Sequence, residues 1–510
     1  MALTKAFWIK RSSDASSTSV DVESLLSMND CLDAVYSYIQ REMIANEKAV
    51  SRMDTKQQRN FTRKLIDQYV AAMKPMVRGF VTDTGIPEFN KLMNALHDEL
   101  LNWGILTAAM EDPDISEIQG NDYKTIYVER SGKQTLYRNE LTGQIISFNS
   151  AEDMLKIANK LLRFSEVSLS RNQALQGAMT MEGFRVAACD PSVAAPDKGN
   201  YGLEDKSPMF VIRKYGSKPP DLPMLIGFHS ITLEQAEFLK ILAKTGIPIV
   251  ICGATGSGKT VLLQSILNNR VLTNRLAVVE DQSELNAHVR NPDGVDQSNT
   301  IQFEARPAPP NGNPPLTFPT FLNVTMQLLR MTPRIIVLGE MRTDEIVSQA
   351  ITAAYTGHGL YSTIHAENVV DCVTRITTAI QSTSAGIPYD INMQKVCSAI
   401  PFIMSQQRLD DGSRKLLEFA EIEGTEIKDG KMVPKVNMLF KFIPDGEGIH
   451  PEDNKLHGDF YHMHRVSAKM EEKLKLKALT KQELNVLLAG PKDGEEPTIC
   501  HFEEPATKEA

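Results

Sequence analysis

The chain has 510 residues, 42 % of them hydrophobic and 23 % charged, with a formal net charge of −9. That length exceeds one ordinary hydrophobic core, so two or more domains are expected. The composition is that of a soluble globular protein, the acidic balance argues against a dedicated nucleic-acid binder, and no apolar run reaches the roughly 20 residues a membrane span needs.

The first ten residues lack the sustained apolar core of a signal peptide, so a cytoplasmic protein is expected, attached to a membrane only through partners. Residues 1–20 read as a flexible tail, rich in Ser, Asp and Thr. Residues 21–104 read as helical. Leu25, Leu26, Met28, Leu32 and Val35 form one apolar stripe, and Leu65, Tyr69, Val70 and Met73 a second. Leu92, Leu96, Leu100 and Leu101 form a third, and such stripes predict core-facing amphipathic helices. Residues 105–216 read as a small α/β domain. Strands are predicted at 114–119, 125–130, 184–188 and 209–213, with a Ser131-Gly132 turn and a helix over 151–164. Pro219, Pro220 and Pro223 mark 217–230 as a stiff, extended linker.

Residues 231–445 alternate strands and helices, which implies a mostly parallel sheet covered on both faces. Ligands of such sheets sit at the carboxyl ends of the strands, and each motif described below is expected there. Residues 446–490 read as a C-terminal helical segment and 491–510 as a polar, disordered tail. The six cysteines are scattered with no C-x-x-C pair, which fits reduced thiols and excludes the usual cysteine zinc knuckle.

The most informative stretch is Gly253-Ala254-Thr255-Gly256-Ser257-Gly258-Lys259-Thr260, a G-x-x-x-x-G-K-[ST] pattern. Its glycines let the backbone take positive φ, so that turned N–H groups point at phosphate oxygens. Lys259 reaches the β- and γ-phosphates, and the Thr260 hydroxyl is placed to ligate Mg²⁺. The apolar run Ile249-Val250-Ile251-Cys252 before it reads as a buried parallel strand. Val261 continues a helix that opens at Lys259 and adds its positive dipole end.

Further segments supply what phosphoryl transfer needs. The strand Val278-Val279 ends in Glu280, Asp281 and Glu284, and Glu280 is a candidate to orient or deprotonate water. Ile335-Ile336-Val337-Leu338-Gly339 delivers Glu340, the better candidate for polarising the attacking water, with Gly339 leaving room for a nucleotide. Thr356-Gly357-His358 and Thr363-Ile364-His365 flank one strand. His358 is the candidate sensor of the γ-phosphate, while His365 reads equally as a structural hydrogen-bonder. Arg185 and Arg213 are candidate guanidinium donors from the small domain.

Taken in order, the phosphate loop, Glu280-Asp281 with Glu284-Leu285, Gly339-Glu340-Met341-Arg342 and the two histidine strings resemble the type II/IV secretion ATPases. The resemblance extends over about residues 95–480 through Asn102-Trp103-Gly104, Ile126-Tyr127-Val128, Glu304-Ala305-Arg306-Pro307 and His457-Gly458-Asp459-Phe460, and is nearest the CpaF branch that drives tight-adherence (Tad) pili. It implies an α/β fold: a RecA-like P-loop domain preceded by a smaller α/β domain and a helical region. It also implies ATP and Mg²⁺ as ligands, bound between the two domains of each subunit, and a homohexamer working on an inner-membrane platform protein. No direct nucleic-acid partner and no transmembrane segment are expected. On this resemblance residues 253–261 bind nucleotide, and Thr260, Glu284 and Glu340 serve the metal. Glu340, Glu280, Arg185, Arg213 and His358 serve catalysis, and His365 completes the histidine box. The motor of a conjugative type IV DNA-transfer system is the alternative reading.

Overall fold

The computed structural model describes residues 25–46, 50, 55–82, 86–130, 133–139, 142–163, 167–180, 183–194, 206–214, 221–291, 295–305, 319–384, 386–492 and 494–502. The expectations for residues 1–20, the Ser131-Gly132 turn, Lys218 to Pro220, Arg306-Pro307 and residues 503–510 lie outside these. The chain divides into two compact units: residues 1–130 with 134–217, and residues 218–510 with 131–133.

In the first unit the apolar stripes of the sequence fall on helices Met28–Ala45, Thr55–Met73 and Phe89–Leu101. They meet in one core that contains Leu32, Val35, Ile39, Leu65, Val70, Leu92 and Leu96. Beside it stands a six-stranded sheet of β1 (Ile115–Gly120), β2 (Ile126–Arg130), β3 (Lys133–Leu136), β4 (Leu175–Met179), β5 (Arg185–Cys189) and β6 (Met209–Arg213), ordered β3-β2-β1-β6-β5-β4. The two edge strands, β3 and β4, are short and largely exposed, so no apolar alternation announces them in the sequence. Helix Ala151–Leu162 opens on Ser150, whose side chain accepts the Asp153 N–H, and packs on this sheet. A Cβ on Gly120 would lie 2.6 Å from Met154 Cε and 2.7 Å from Phe210 Cζ, so any larger residue at this β1 position would have to displace those side chains beneath the helix. Lys160 then donates to the Asp98 and Asn102 carbonyls and closes the C-terminal end of helix Phe89–Leu101.

The second unit is built on β7 (Ile249–Cys252), β8 (Leu276–Glu280), β9 (Thr300–Glu304), β10 (Ile335–Leu338), β11 (Gly359–Ile364) and β12 (Phe402–Arg408). These are parallel and ordered β12-β7-β11-β10-β8-β9. Every residue of β7, β8, β10 and β11 is buried, which is why β7, β8 and β10 read as apolar runs, while β11 buries the hydroxyls of Ser362 and Thr363. Alternate residues face two cores. Ile249, Ile251, Val278 and Val337 pack under helices Leu233–Thr245 and Lys259–Leu267. Val250, Val279, Ile336 and Leu338 pack under helices Phe321–Leu328, Asp344–Tyr355, Val369–Thr383 and Tyr389–Ala399.

Three expectations are corrected in this unit. Helix Leu222–Gly227, with Pro223 in its first turn and Asp221 as cap, stands where an extended linker was expected. Beyond β12 the sheet continues antiparallel through β13 (Arg414–Lys428), β14 (Lys431–His450), β15 (Lys455–His462) and β16 (Thr498–Ile499). The segment 446–490 therefore begins in a hairpin and turns helical only at Ala468–Lys475 and Lys481–Leu487. In the tail from 491, residues 498–502 pack on the sheet: Cys500 is buried, and Phe502 stacks on His229 and meets Phe460 edge-on. The β15 backbone and the Phe460 ring need partners, and five residues, Thr498 to Phe502, supply them despite the polar stretch before.

His462 shows how tightly this end is packed. It stacks on Phe440 at 4.2 Å, and burial pushes its imidazole down to about 4 from the ordinary 6.5. A depressed histidine favours the folded state above the unfolded value, and that contribution is lost as pH falls through the folded value. Between pH 6.5 and about 4 the C-terminal packing is therefore expected to weaken, by up to roughly 3 kcal/mol. Relative to His462→Phe, the wild-type denaturant midpoint should fall as pH drops across that window. Parallel curves would refute the assignment.

Candidate active site

The phosphate-loop pattern follows β7 at its carboxyl end, and helix Lys259–Leu267 opens directly after Gly258. Gly253, Gly256 and Gly258 take φ of 156°, 74° and 92°. The loop is backed by β12 and β13, which sequence reasoning did not connect to it. A Cβ on Gly253 would lie 2.0 Å from the Gln406 carbonyl oxygen, so β12 runs hard against the loop. Arg414 Nε donates to the Gly256 carbonyl at 2.8 Å, and the Ala254 N–H donates to Gln407 Oε1 at 3.4 Å. The signal available for this was the polar run Ser405-Gln406-Gln407-Arg408 closing an apolar strand. Lys259 is buried and donates to the Gly253 and Ala254 carbonyls, both at 2.9 Å. Burial pulls its ammonium below the ordinary lysine value, and Glu340 pulls the other way. Ser257 is wholly buried, and its hydroxyl has no hydrogen-bond partner.

Glu340 stands two residues beyond β10, which β11 separates from the loop's strand β7. His365 Nε2 lies 2.8 Å from its Oε1, and Arg342 Nε donates to its Oε2 at 2.6 Å. Arg342 Nη1 continues the chain to Asp281 Oδ2 at 2.9 Å. Asp281, Arg342, Glu340 and His365 thus form one hydrogen-bonded file across the carboxyl ends of β8, β10 and β11. Burial pulls the His365 imidazole down, and Lys259 adds to that; Glu340 and the Gly253 carbonyl pull it up. Arg342, with Asp281, is the participant the motif reading left unassigned, and its signal was its place two residues after Glu340.

Glu280 is placed differently from expectation. It is buried, its Oε1 accepts the Glu284 and Leu285 N–H groups, and its Oε2 accepts Gln302 Nε2 at 3.0 Å. It fixes the acidic turn that carries Asp281, and does not present its carboxylate to solvent. Gly339 makes room for this side chain: a Cβ there would lie 3.0 Å from Glu280 Cγ. Burial pushes the Glu280 carboxyl up from 4.5 to about 7. A raised carboxyl favours folding below its unfolded value and loses that contribution as pH rises through the folded one. The Glu280 contribution should therefore decline from about pH 4.5 to 7, opposing that of His462, so Glu280→Gln should make the slope of stability against pH more positive than in the wild type in unfolding curves across that window. An unchanged slope would exclude that contribution.

His358 is a correction with a simple cause. It precedes the six-residue β11 and His365 follows it, so the two histidines lie at opposite edges of the sheet, about 20 Å apart. His358 bonds through Nδ1 to the Ala353 carbonyl at 3.2 Å, closing the end of helix Asp344–Tyr355. Arg185 and Arg213 lie in the first unit, directly opposite each other on β5 and β6, and Arg213 pairs with Glu117 at 3.4 Å. Among the described residues no group of three or more His, Cys, Asp or Glu is placed to hold a metal. The metal role expected of Glu284 and Glu340 meets this limit, and both Glu340 oxygens are already engaged.

Residues 206–430 match the model of a family described as Type II/IV secretion system protein. Over 294 residues the chain is 27 % identical to an uncharacterized protein of Methanocaldococcus jannaschii, covering 57 % of this chain and 47 % of that one. It is 25 % identical over 338 residues to the conjugal transfer protein TrbB of Rhizobium radiobacter, covering 66 % and 90 %. It is 36 % identical over 145 residues to the type IV pilus assembly ATPase PilB of Acinetobacter baylyi, covering 28 % and 22 %. The chain thus spans about half the length of the archaeal relative, most of TrbB and about a fifth of PilB.

Proposed function

We propose, on the premise that this chain belongs to the type II/IV secretion ATPase superfamily, that its RecA-like second unit hydrolyses ATP to drive a membrane-associated machine. The observation that carries this is the juxtaposition of the Lys259 loop with Glu340, held between His365 and Arg342 at the carboxyl ends of neighbouring parallel strands. The residues present fit a polyphosphate. Three positive-φ glycines turn the backbone, the Ser257 hydroxyl is buried without a partner, and the Lys259 ammonium stands among loop carbonyls.

In this reading residues 253–261 clasp the phosphates, with Lys259 supplying the charge. The Thr260 hydroxyl is the protein's group for Mg²⁺, the rest of whose shell would come from phosphate and water, as that ion prefers. Bound there, the metal would neutralise charge on the phosphoryl oxygens. Glu340 orients the attacking water and takes its proton. A neutral imidazole has one N–H, and His365 faces both the Glu340 carboxylate and the Gly253 carbonyl, so a proton on Glu340 has His365 as its next acceptor. Arg342, steered by Asp281, fixes the Glu340 rotamer. Arg185 and Arg213 are the proposed donors of guanidinium charge to the γ-phosphoryl group, and the working form is proposed to be a homohexamer.

The machine is proposed to be a Tad or type IV-like pilus, or a related secretion system, with an inner-membrane platform protein as partner and the motor at the inner face of the membrane. No helix among the described residues is long and apolar enough to cross a membrane, which suits attachment at its surface. A conjugative DNA-transfer motor is the second reading, favoured by the match along 90 % of TrbB. Phosphate release from ATP and Mg²⁺, measured on the purified chain alongside light scattering, tests the enzymatic core. Absence of nucleotide affinity in every assembly state would end the proposal. Co-purifying membrane proteins would separate the two machines.

The two histidines give a sharper check. His365→Ala should lower turnover by roughly 10²-fold, the lower range for a group that serves proton transfer. His358→Ala should leave turnover within about twofold, since it lies at the other edge of the sheet. The reverse ranking would contradict the placement.

A further inference from the structure

The edge of the second unit's sheet opposite Lys259 carries an uncompensated positive patch. Arg334 immediately precedes β10 there. Helix Ala468–Lys475 and the turn after it bring Lys469, Lys473 and Lys477 onto one side at four-residue spacing. Partial burial, then Lys469, hold the Lys473 ammonium below the ordinary lysine value, with Glu421 opposing; partial burial, then Arg334 and Lys473, do the same to Lys477. Sequence-distant cations are therefore held within electrostatic reach of one another. Among the described residues none of the four makes an ion pair, whereas their neighbours do: Lys475 pairs with Glu471 and Lys244 with Glu483. Glu421 is already committed to Ser467 and Asn437. In the middle of the patch, between Lys475 and Lys477, Leu476 is 86 % exposed, the most exposed large apolar residue among those described.

We propose that this face, Arg334, Lys469, Lys473 and Lys477 around Leu476, binds directly to a bilayer surface rich in acidic phospholipid. Unpaired lysines on a helix supply the attraction to anionic headgroups, and a projecting leucine supplies the apolar contact at the acyl boundary. The occupant is chosen by that combination. A nucleic acid would satisfy the cations, but helix Ala468–Lys475 offers no aromatic side chain for a base to stack on, and Leu476 would gain nothing. The chain as a whole carries a net charge of −9 and is repelled by the same surface, so this patch sets the orientation of contact. The inference does not depend on ATP hydrolysis.

Co-sedimentation of the full chain with phosphatidylglycerol-containing vesicles, against phosphatidylcholine vesicles, tests it. Binding is expected only to the acidic vesicles, and is expected to weaken as salt shortens the screening length from about 10 Å at 0.1 M. Each lysine is worth about fivefold in affinity at such a surface, so the triple change Lys469→Gln, Lys473→Gln and Lys477→Gln should weaken binding about a hundredfold. Leu476→Asp alone should weaken it roughly tenfold. Both variants should keep wild-type thermal unfolding and ATP turnover, because none of these residues touches the nucleotide loop. Equal binding to neutral vesicles, unchanged binding by the triple variant, or binding to DNA with none to vesicles would each overturn the proposal.

Discussion

Lys259→Ala is expected to bind ATP about 10²- to 10³-fold more weakly than the wild type and to release no measurable phosphate. The ammonium is the only cation the loop itself carries, and its partners are fixed: it donates to the Gly253 and Ala254 carbonyls from a buried position. Charge-assisted hydrogen bonds contribute roughly 1.5–3 kcal/mol each, so losing one or two that the ammonium would give to phosphate oxygens reaches the stated range. Removing the ammonium also leaves two carbonyls to find water. Titration calorimetry with a slowly hydrolysed ATP analogue and Mg²⁺ measures the affinity directly. Thermal unfolding should shift by only a few degrees, since the loop sits outside the two apolar cores. A variant that folds and hydrolyses at the wild-type rate would remove the basis for the proposed chemistry.

Glu340→Gln should separate binding from chemistry. Turnover is expected to fall on the order of 10²- to 10⁴-fold, the usual range for a positioned acid–base group, while analogue affinity stays within about threefold. The amide keeps the shape of the carboxylate, so Arg342 and His365 retain a neighbour of the same size. It takes no proton from water, and it no longer holds the Arg342 guanidinium by charge, so Asp281 becomes that group's one anionic partner in the file. Single-turnover measurements with saturating nucleotide distinguish the loss of chemistry from slow product release. If Glu340→Gln turned over normally while Asp281→Asn did not, the catalytic carboxylate would have to be sought across the file at β8.

Much of the second unit could be read from its sequence. Buried parallel strands write themselves as apolar runs, and β7, β8 and β10 were visible for that reason, whereas β11, with Ser362 and Thr363 in it, was marked only by the histidine strings at its two ends. The loop was visible because its function constrains consecutive residues. The antiparallel extension β13 to β16 was not, because long two-stranded ribbons with exposed ends mix polar and apolar residues without a firm period. The last strand was hidden by its length: two paired residues leave no periodic signal, and only the open edge of β15 gives them a place.

By itself the chain determined a glycine-rich loop of G-x-x-x-x-G-K-T pattern between a strand and a helix, and carboxylates at the ends of two more strands. Each of these is a local pattern, fixed by backbone geometry within a few residues. Only the tertiary structure decided which groups face one another. It put His365 on Glu340 and sent His358 to the far edge, because a strand separates the residues at its two ends by its full length. It turned Glu280 inward to hold its own turn, and brought Arg414 from beyond β12 to the Gly256 carbonyl, 158 residues away. Such pairings depend on strand order, which reaches across hundreds of residues and leaves no mark in any short window of sequence.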